Sequence, residues 1–246
     1  MYVIAHVSDT HFDGRERSAA RAAKVMAYLA ALRRPADLVL VTGDITDNGL
    51  PEEYEQARET LSAVSPLVTL PGNHDDRAAF REFLLGQPPS DAPLNRTVQA
   101  GAAILALCDS TIPGRDDGVL APETLDWLRT VLADAAGAPV LIAFHHPPAV
   151  LHEPFIDSLR QFDAQPLADL VAGYPNVIAL LSGHAHTAAT TVFAGRPLLI
   201  APGVASTLRL PWEHGPQLDH EAPVGLAFHV LDDDHRITTH YRAVQP

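Results

Sequence analysis

Residues 67–77 read Leu67-Val68-Thr69-Leu70-Pro71-Gly72-Asn73-His74-Asp75-Asp76-Arg77. An apolar, β-rich run meets proline and glycine, then turns at once into an amide, an imidazole and two carboxylates. The first four residues read as a buried strand, and the Pro-Gly pair ends it. A plain turn could use the polar side chains that follow, since Asn and Asp favour turns. A metal could use them as well. The arrangement recurs along the chain. Tyr2–Val7 runs into Asp9 and His11, and Leu38–Val41 into Gly43 and Asp44. Val140–Phe144 runs into His145 and His146, and Val177–Leu181 into Gly183, His184 and His186.

Helical patterns lie between these runs. Ser18–Arg33 is rich in Ala and Leu, with Pro35 just past its end. Pro51–Val64 places proline at the first helical position and Glu52 and Glu53 in the first turn. Asp76–Leu85, Pro122–Ala135 and Pro166–Ala172 read as further helices, and Ala103–Leu107 as another strand. Strands alternating with helices predict an α/β fold. After residue 186 the pattern becomes mostly β: Ala188–Ala194, Leu198–Ile200, Val224–Leu231 and Arg236–Ala243. No linker divides the chain, so residues 1–246 are expected to form a single domain. Two irregular segments, 147–160 and 202–223, are long enough to cover a site.

Composition excludes several classes. Hydrophobic residues are 47% and charged residues 19%, so the chain is not disordered. The longest apolar runs are too short for a transmembrane segment. A net charge of −13 argues against a stable nucleic acid complex, which needs a basic face. Small anionic substrates remain open, because bound metal reverses a local field. The N-terminus lacks the basic region of a signal peptide, and Cys108 alone cannot form an internal disulfide, so a cytoplasmic location is expected. A homodimer, if formed, would use Pro147–Arg160 or the β-rich end.

In an open α/β sheet, ligands sit at the carboxyl ends of the strands. Five polar clusters at five strand ends would converge on one place. Carboxylate, amide oxygen and imidazole donors suit manganese or iron first, with zinc or cobalt as alternatives. Asp9, His11, Asp44, Asn73, His145, His184 and His186 are too many donors for one tetrahedral ion. They fit two adjacent metals sharing a carboxylate, a recurring solution for displacement at phosphorus.

The motifs Asp9-x-His11, Gly43-Asp44, Gly72-Asn73-His74-Asp75, His145-x-Pro147 and Gly183-His184-x-His186 occur in the order found in calcineurin-like metallophosphoesterases, and the chain resembles that family. The longer strings 71–77 and 145–148 are similar to class III cyclic nucleotide phosphodiesterases and related bacterial glycerophosphodiesterases. The resemblance implies a four-layer α/β/β/α sandwich of two mixed β-sheets. It implies that Asp9, His11 and His186 hold one metal, that Asn73, His145 and His184 hold the other, and that Asp44 bridges them. It gives His74 contact with the phosphate and the general-acid role, with Asn73 also binding substrate. Asp75 would orient His74 or brace the loop. The implied substrate is a small-molecule phosphodiester, 3′,5′-cyclic AMP foremost, attacked by a metal-bound hydroxide. The alternatives are a broader phosphodiesterase, phosphomonoesterase or glycerophosphodiesterase activity on the same site and, remotely, a non-catalytic scaffold.

Other residues read more plainly. Neighbours on a strand point to opposite faces, so His146 is expected to support His145 rather than share a metal with it. His152, His214 and His220 read as surface loop residues, and Phe155 and Trp212 as anchors of their loops, with stacking on a base the second option. Arg77 reads as a surface salt bridge before a phosphate clamp, and Cys108 as a small buried hydrophobe.

Overall fold

The computed structural model describes residues 1–244. β1 (Tyr2–Val7), β2 (Leu38–Thr42) and β3 (Leu67–Leu70) lie parallel in one sheet, separated in the chain by α1 (Glu16–Ala30) and α2 (Pro51–Leu61). A one-turn α3 (Arg77–Ala79) passes into a π-helical turn, Phe80–Leu84. The expected helix from Asp76 is therefore real, but its second half is wider than an α-helix. β4 (Arg96–Ala100) and β5 (Ala103–Leu107) form a hairpin. Then follow α4 (Pro122–Asp134), β6 (Val140–Ala143), α5 (Pro154–Asp157), α6 (Gln165–Gly173) and β7 (Val177–Ser182). The last part holds β8 (Ala189–Phe193), β9 (Arg196–Ile200), β10 (Thr207–Leu208), β11 (Leu218–Asp219), β12 (Val224–Leu231) and β13 (Ile237–Val244).

The first sheet runs β13-β12-β1-β2-β3, and the second β4-β5-β6-β7-β9-β8. Both are mixed: β12 and β13 are antiparallel additions to the first, β4 and β8 to the second. Strand alternation divides each strand between two cores. Leu38 and Leu40 of β2 meet Leu105, Leu141 and Leu181 between the sheets. Val39 and Val41 pack instead beneath Val25, Met26 and Tyr54 of α1 and α2. On the far side, Ile142 and Leu198 pack beneath Leu128 of α4 and Leu167 of α6. The result is the four-layer α/β/β/α sandwich that the resemblance implied. Each fully buried Leu or Val contributes roughly 1.5–3 kcal/mol, so these three cores form a stiff frame for the strand ends. Among the described residues no helix is long and apolar enough to cross a membrane.

The two irregular segments carry small elements. Glu153 caps α5 by accepting the Ile156 N–H at 2.8 Å. β10 and β11 make a short antiparallel hairpin within 202–223. Arg21 of α1 ties that segment down, donating to the carbonyls of Val204, His220 and Ala222 at 2.7–3.0 Å.

Candidate metal centre

At the ends of β1, β2 and β7 the backbone leaves the ordinary range. Asp9, His11, Asp44, His184 and His186 have φ between 43° and 66°. Left-handed backbone costs a non-glycine residue roughly 1–2 kcal/mol, and strain of this kind gathers at functional sites. Five of the seven expected donors carry it. Neighbouring loops hold it in place: Asp9 N–H donates to the Gly43 carbonyl at 3.1 Å and His11 N–H to the Asp44 carbonyl at 2.9 Å. Gly72 lies so close beneath Asp44 that a Cβ there would collide with its carboxylate.

Beside a more exposed cluster, His11-Asp47-His74, the side chains converge in two groups, Asp9-His11-Asp44-His186 and His145-His146-His184. Asp44 joins them, its Oδ2 lying 3.4 Å from His11 Nε2 and 3.3 Å from His145 Nε2. His11 Nε2 and His186 Nε2 are 3.1 Å apart, and His186 Nε2 is 3.6 Å from Asp9 Oδ1. In the second group His184 Nδ1 is 3.2 Å from His145 Nε2, and Asn73 Oδ1 is 3.1 Å from His146 Nε2.

The outward nitrogens are already occupied. His145 Nδ1–H donates to the Thr42 carbonyl at 2.7 Å, and His184 Nε2–H to the Leu159 carbonyl at 3.1 Å. His11 Nδ1–H donates to Asp47 Oδ1 at 3.1 Å, and His186 Nδ1 bonds Ser206 Oγ at 2.8 Å. Such partners fix the tautomer and leave the inner nitrogen with a lone pair for a cation. Asp9, Asp44, His145 and His184 are all buried. The charge pattern asks for a positive centre. Burial alone would lower His145, but the facing Asp44 carboxylate, its hydrogen bond and Asp9 hold it up to about 9. Burial and its charged neighbour His145 push His146 down to about 3, and His184 is lowered by burial and by His146 and His145. Without metal, a proton on His145 balances Asp44. Two ions would more than offset both carboxylates and use the inward nitrogens of His11, His145, His184 and His186, so the donor set fits such a pair.

The structure refines several sequence readings. The alternation argument does not separate His146 from His145, because both lie beyond β6 in a bend. Their rings stand edge to face, 4.9 Å apart, on the same site. Of the two roles expected of Asp75, bracing the loop is the one it fills, since the His74 Nδ1 partner is the Asp47 carbonyl. Asp75 accepts from Gly72, Ile45 and Thr46 N–H at 2.9–3.1 Å and from the Tyr54 hydroxyl at 3.1 Å, bracing two loops. Arg77 is neither a surface pair nor a phosphate clamp, since its Nε meets the fully buried Asp109 carboxylate at 2.8 Å. Trp212 anchors nothing, being 71% exposed, whereas Phe155 lines the cavity above the site. His152 and His214 are exposed as expected, His220 is exposed at the cavity rim, and Cys108 is buried.

Sequence reasoning missed Asp47. Its carbonyl accepts from His74 Nδ1–H at 2.8 Å while its carboxylate holds His11. The available signal was a second carboxylate three residues after Asp44. Above the floor opens a cavity of about 590 Å³, lined by His11, Asn73, His74, His186 and also by Phe155, Leu208 and Leu218.

Two buried carboxylate–imidazole sets sharing one aspartate, at the strand ends of an α/β/β/α sandwich, define a dinuclear metallohydrolase. Residues 2–188 match the family model described as calcineurin-like phosphoesterase, and the chain belongs to that family of metal-dependent phosphoester hydrolases. It is 34% identical over 226 residues to the glycerophosphodiester phosphodiesterase GpdQ of Enterobacter lignolyticus, covering 86% of this chain and 80% of that protein. It is 31% identical over 245 residues to a probable cyclic nucleotide phosphodiesterase of Rhodococcus erythropolis, covering 94% and 81%. A dimetal phosphatase from Danio rerio shares the fold with a TM-score of 0.71 at 14% identity, covering 99% of each chain.

Proposed function

We propose that the chain hydrolyses 3′,5′-cyclic nucleotides, cyclic AMP foremost, to nucleoside monophosphates. The observation that carries the reading is the pair of donor groups joined by Asp44 beneath a cavity of about 590 Å³. That volume lies in the range of small-molecule sites and far exceeds a bare phosphate. The similarity to a probable cyclic nucleotide phosphodiesterase supports it. Asp9, His11 and His186 would hold one ion, Asn73, His145 and His184 the other, and Asp44 both. Manganese or iron suits these donors best, with zinc or cobalt as alternatives. When bound, the ions supply positive charge to the phosphoryl oxygens and lower the pKa of a coordinated water.

The remaining steps belong to the chain. Asn73 and His74 line the cavity, and on this reading they face the phosphoryl group. The Asp47 carbonyl keeps a proton on His74 Nδ1 and leaves Nε2 free for the reacting oxygen. To act as general acid His74 would carry a second proton, on Nε2, and give that one to the departing alkoxide, while the proton released from the attacking water restores it. One P–O bond to ribose breaks, water supplies the new oxygen, and the alkoxide leaves as a ribose hydroxyl.

A second reading, glycerophosphodiester hydrolysis on the same site, is favoured by the similarity to GpdQ. The test is kcat/KM of manganese-loaded protein on 3′,5′-cyclic AMP, glycerophosphoethanolamine and bis(p-nitrophenyl) phosphate. The expected value on cyclic AMP is about 10⁴ M⁻¹s⁻¹ or more, exceeding that on glycerophosphoethanolamine. Rapid turnover of the glycerol diester with inert cyclic AMP would replace the first reading by the second.

A further inference from the structure

The cavity has a wall that phosphoryl chemistry does not use. Phe155 and Ile156 of α5, with Leu159 just beyond it, line the cavity on one segment. Leu208 of β10 and Leu218 of β11 line it on another. Both segments are tied to the metal-holding histidines. The Leu159 carbonyl takes the His184 Nε2–H at 3.1 Å, and the Leu208 N–H donates to the His186 carbonyl at 3.0 Å. Apolar side chains are thus held at a fixed place beside the reacting centre. Ile156 and Leu208 are buried, whereas Phe155 is 46% exposed and Leu218 36%. An aromatic ring held in that position by a capped turn, half in solvent, is a surface for a flat group. An ester group that is neither flat nor cationic would gain little from it.

We infer that Phe155, backed by Ile156 and faced by the apolar residues of the β10–β11 hairpin, is the shelf on which a planar ester substituent stacks. On the reading given above, that substituent is the nucleobase. The phosphoryl group then sits over the donors and the base lies on the shelf, so this wall sets the preference for nucleotides over glycerol diesters. Stacking of a base on an aromatic side chain is worth about 1–3 kcal/mol, or roughly 5–150-fold in binding.

The variants Phe155→Ala and Phe155→Tyr test this in the metal-loaded protein, with metal content and Tm measured alongside. Phe155→Ala is expected to lower kcat/KM on cyclic AMP at least about 5-fold, chiefly through KM, and to leave glycerophosphoglycerol, which has neither a flat nor a cationic group, within about twofold. Phe155→Tyr keeps the ring and should restore the cyclic AMP value. Equal loss on both substrates, or no loss on cyclic AMP, overturns the shelf. A second pair of substrates keeps it separate from the cyclic nucleotide reading. Bis(p-nitrophenyl) phosphate and methyl p-nitrophenyl phosphate differ by one flat ring. If cyclic AMP is inert with the native protein, the nucleotide reading fails. The shelf then stands if Phe155→Ala slows the bis-aryl ester more than the methyl ester, and falls if it slows both alike.

Discussion

Two buried histidine pairs lie within this sandwich, and only one of them has a member facing a carboxylate. His145 and His146 sit past the end of β6 and face Asp44, Asn73 and His184. His6 of β1 and His229 of β12 sit inside the first sheet, His6 Nδ1 and His229 Nε2 sharing a hydrogen bond at 2.9 Å. Their other nitrogens meet the hydroxyls of Thr42 and Thr239 at 2.8 and 2.9 Å. All four imidazoles are at most 1% exposed. Burial alone therefore does not make a metal site. Where a carboxylate faces the ring, as Asp44 faces His145, the site holds negative charge that a proton, or a metal ion in its place, can balance. Where only hydroxyls and another imidazole face it, burial keeps the ring neutral: His229 is pushed down to about 3, and His6 is lowered by burial and by His229. The second pair fills its polar needs internally and is structural.

The comparison breaks most sharply at His145. His145→Ala removes the ring that faces the shared carboxylate. We expect metal occupancy to fall and kcat/KM to drop on the order of 10³-fold, the several kcal/mol that metal charge contributes. His146→Ala should keep the metal and lose about 10–100-fold, as supporting residues do, because it holds Asn73 rather than Asp44. Metal analysis of both proteins decides the matter. Equal metal loss would mean that His146 is a ligand too, and that the carboxylate is not what distinguishes the rings.

A smaller effect is expected at Asp47. Its carboxylate orients His11 and is held below the usual carboxylate range, first by the His11 hydrogen bond. Asp47→Ala keeps the carbonyl that binds His74, so the loss should be confined to His11. Metal affinity should fall roughly tenfold, the low end for such partners. Excess metal should then restore kcat/KM. If saturation with metal leaves activity low, Asp47 acts through His74 instead.

The site was legible where residue chemistry clashed with position. Asp, Asn and His at five strand ends have no packing reason to be there, and the structure brings all seven expected donors together. The layers were legible because Leu38–Val41 and Val140–Phe144 are apolar on both faces, as strands covered on both sides must be. β4 was missed because Arg96, Thr97 and Gln99 leave an edge strand with almost no apolar signal. Asp47 looked like any turn residue until the fold placed His11 and His74 around it. Alternation could not tell His146 from His145, because it holds only while the strand lasts, and β6 ends at Ala143. The shelf residues come from two distant segments, and nothing local marks Phe155 and Leu218 as neighbours of one cavity.

The finest test of the comparison concerns His229, where activity at neutral pH should hardly change. Its folded pKa lies near 3, and the unfolded chain takes the ordinary value near 6.5. Above pH 6.5 both states are neutral at this residue, and its protonation contributes no difference. Below it the unfolded state binds a proton that the folded state refuses, so stability falls as pH falls toward 3. At pH 5 this loss is about 2 kcal/mol. His229→Gln keeps an amide able to meet Thr239 or His6 but cannot titrate. Urea unfolding of metal-free native and variant proteins at pH 7.5 and pH 5 cancels the contribution of the other histidines, which both share. The native protein should be the more stable at pH 7.5, because both its nitrogens are bonded. By pH 5 its advantage should shrink by about 2 kcal/mol. An advantage that stays constant would show that His229 is protonated in the fold after all, and the line drawn between carboxylate-faced and hydroxyl-faced histidines would lose its basis.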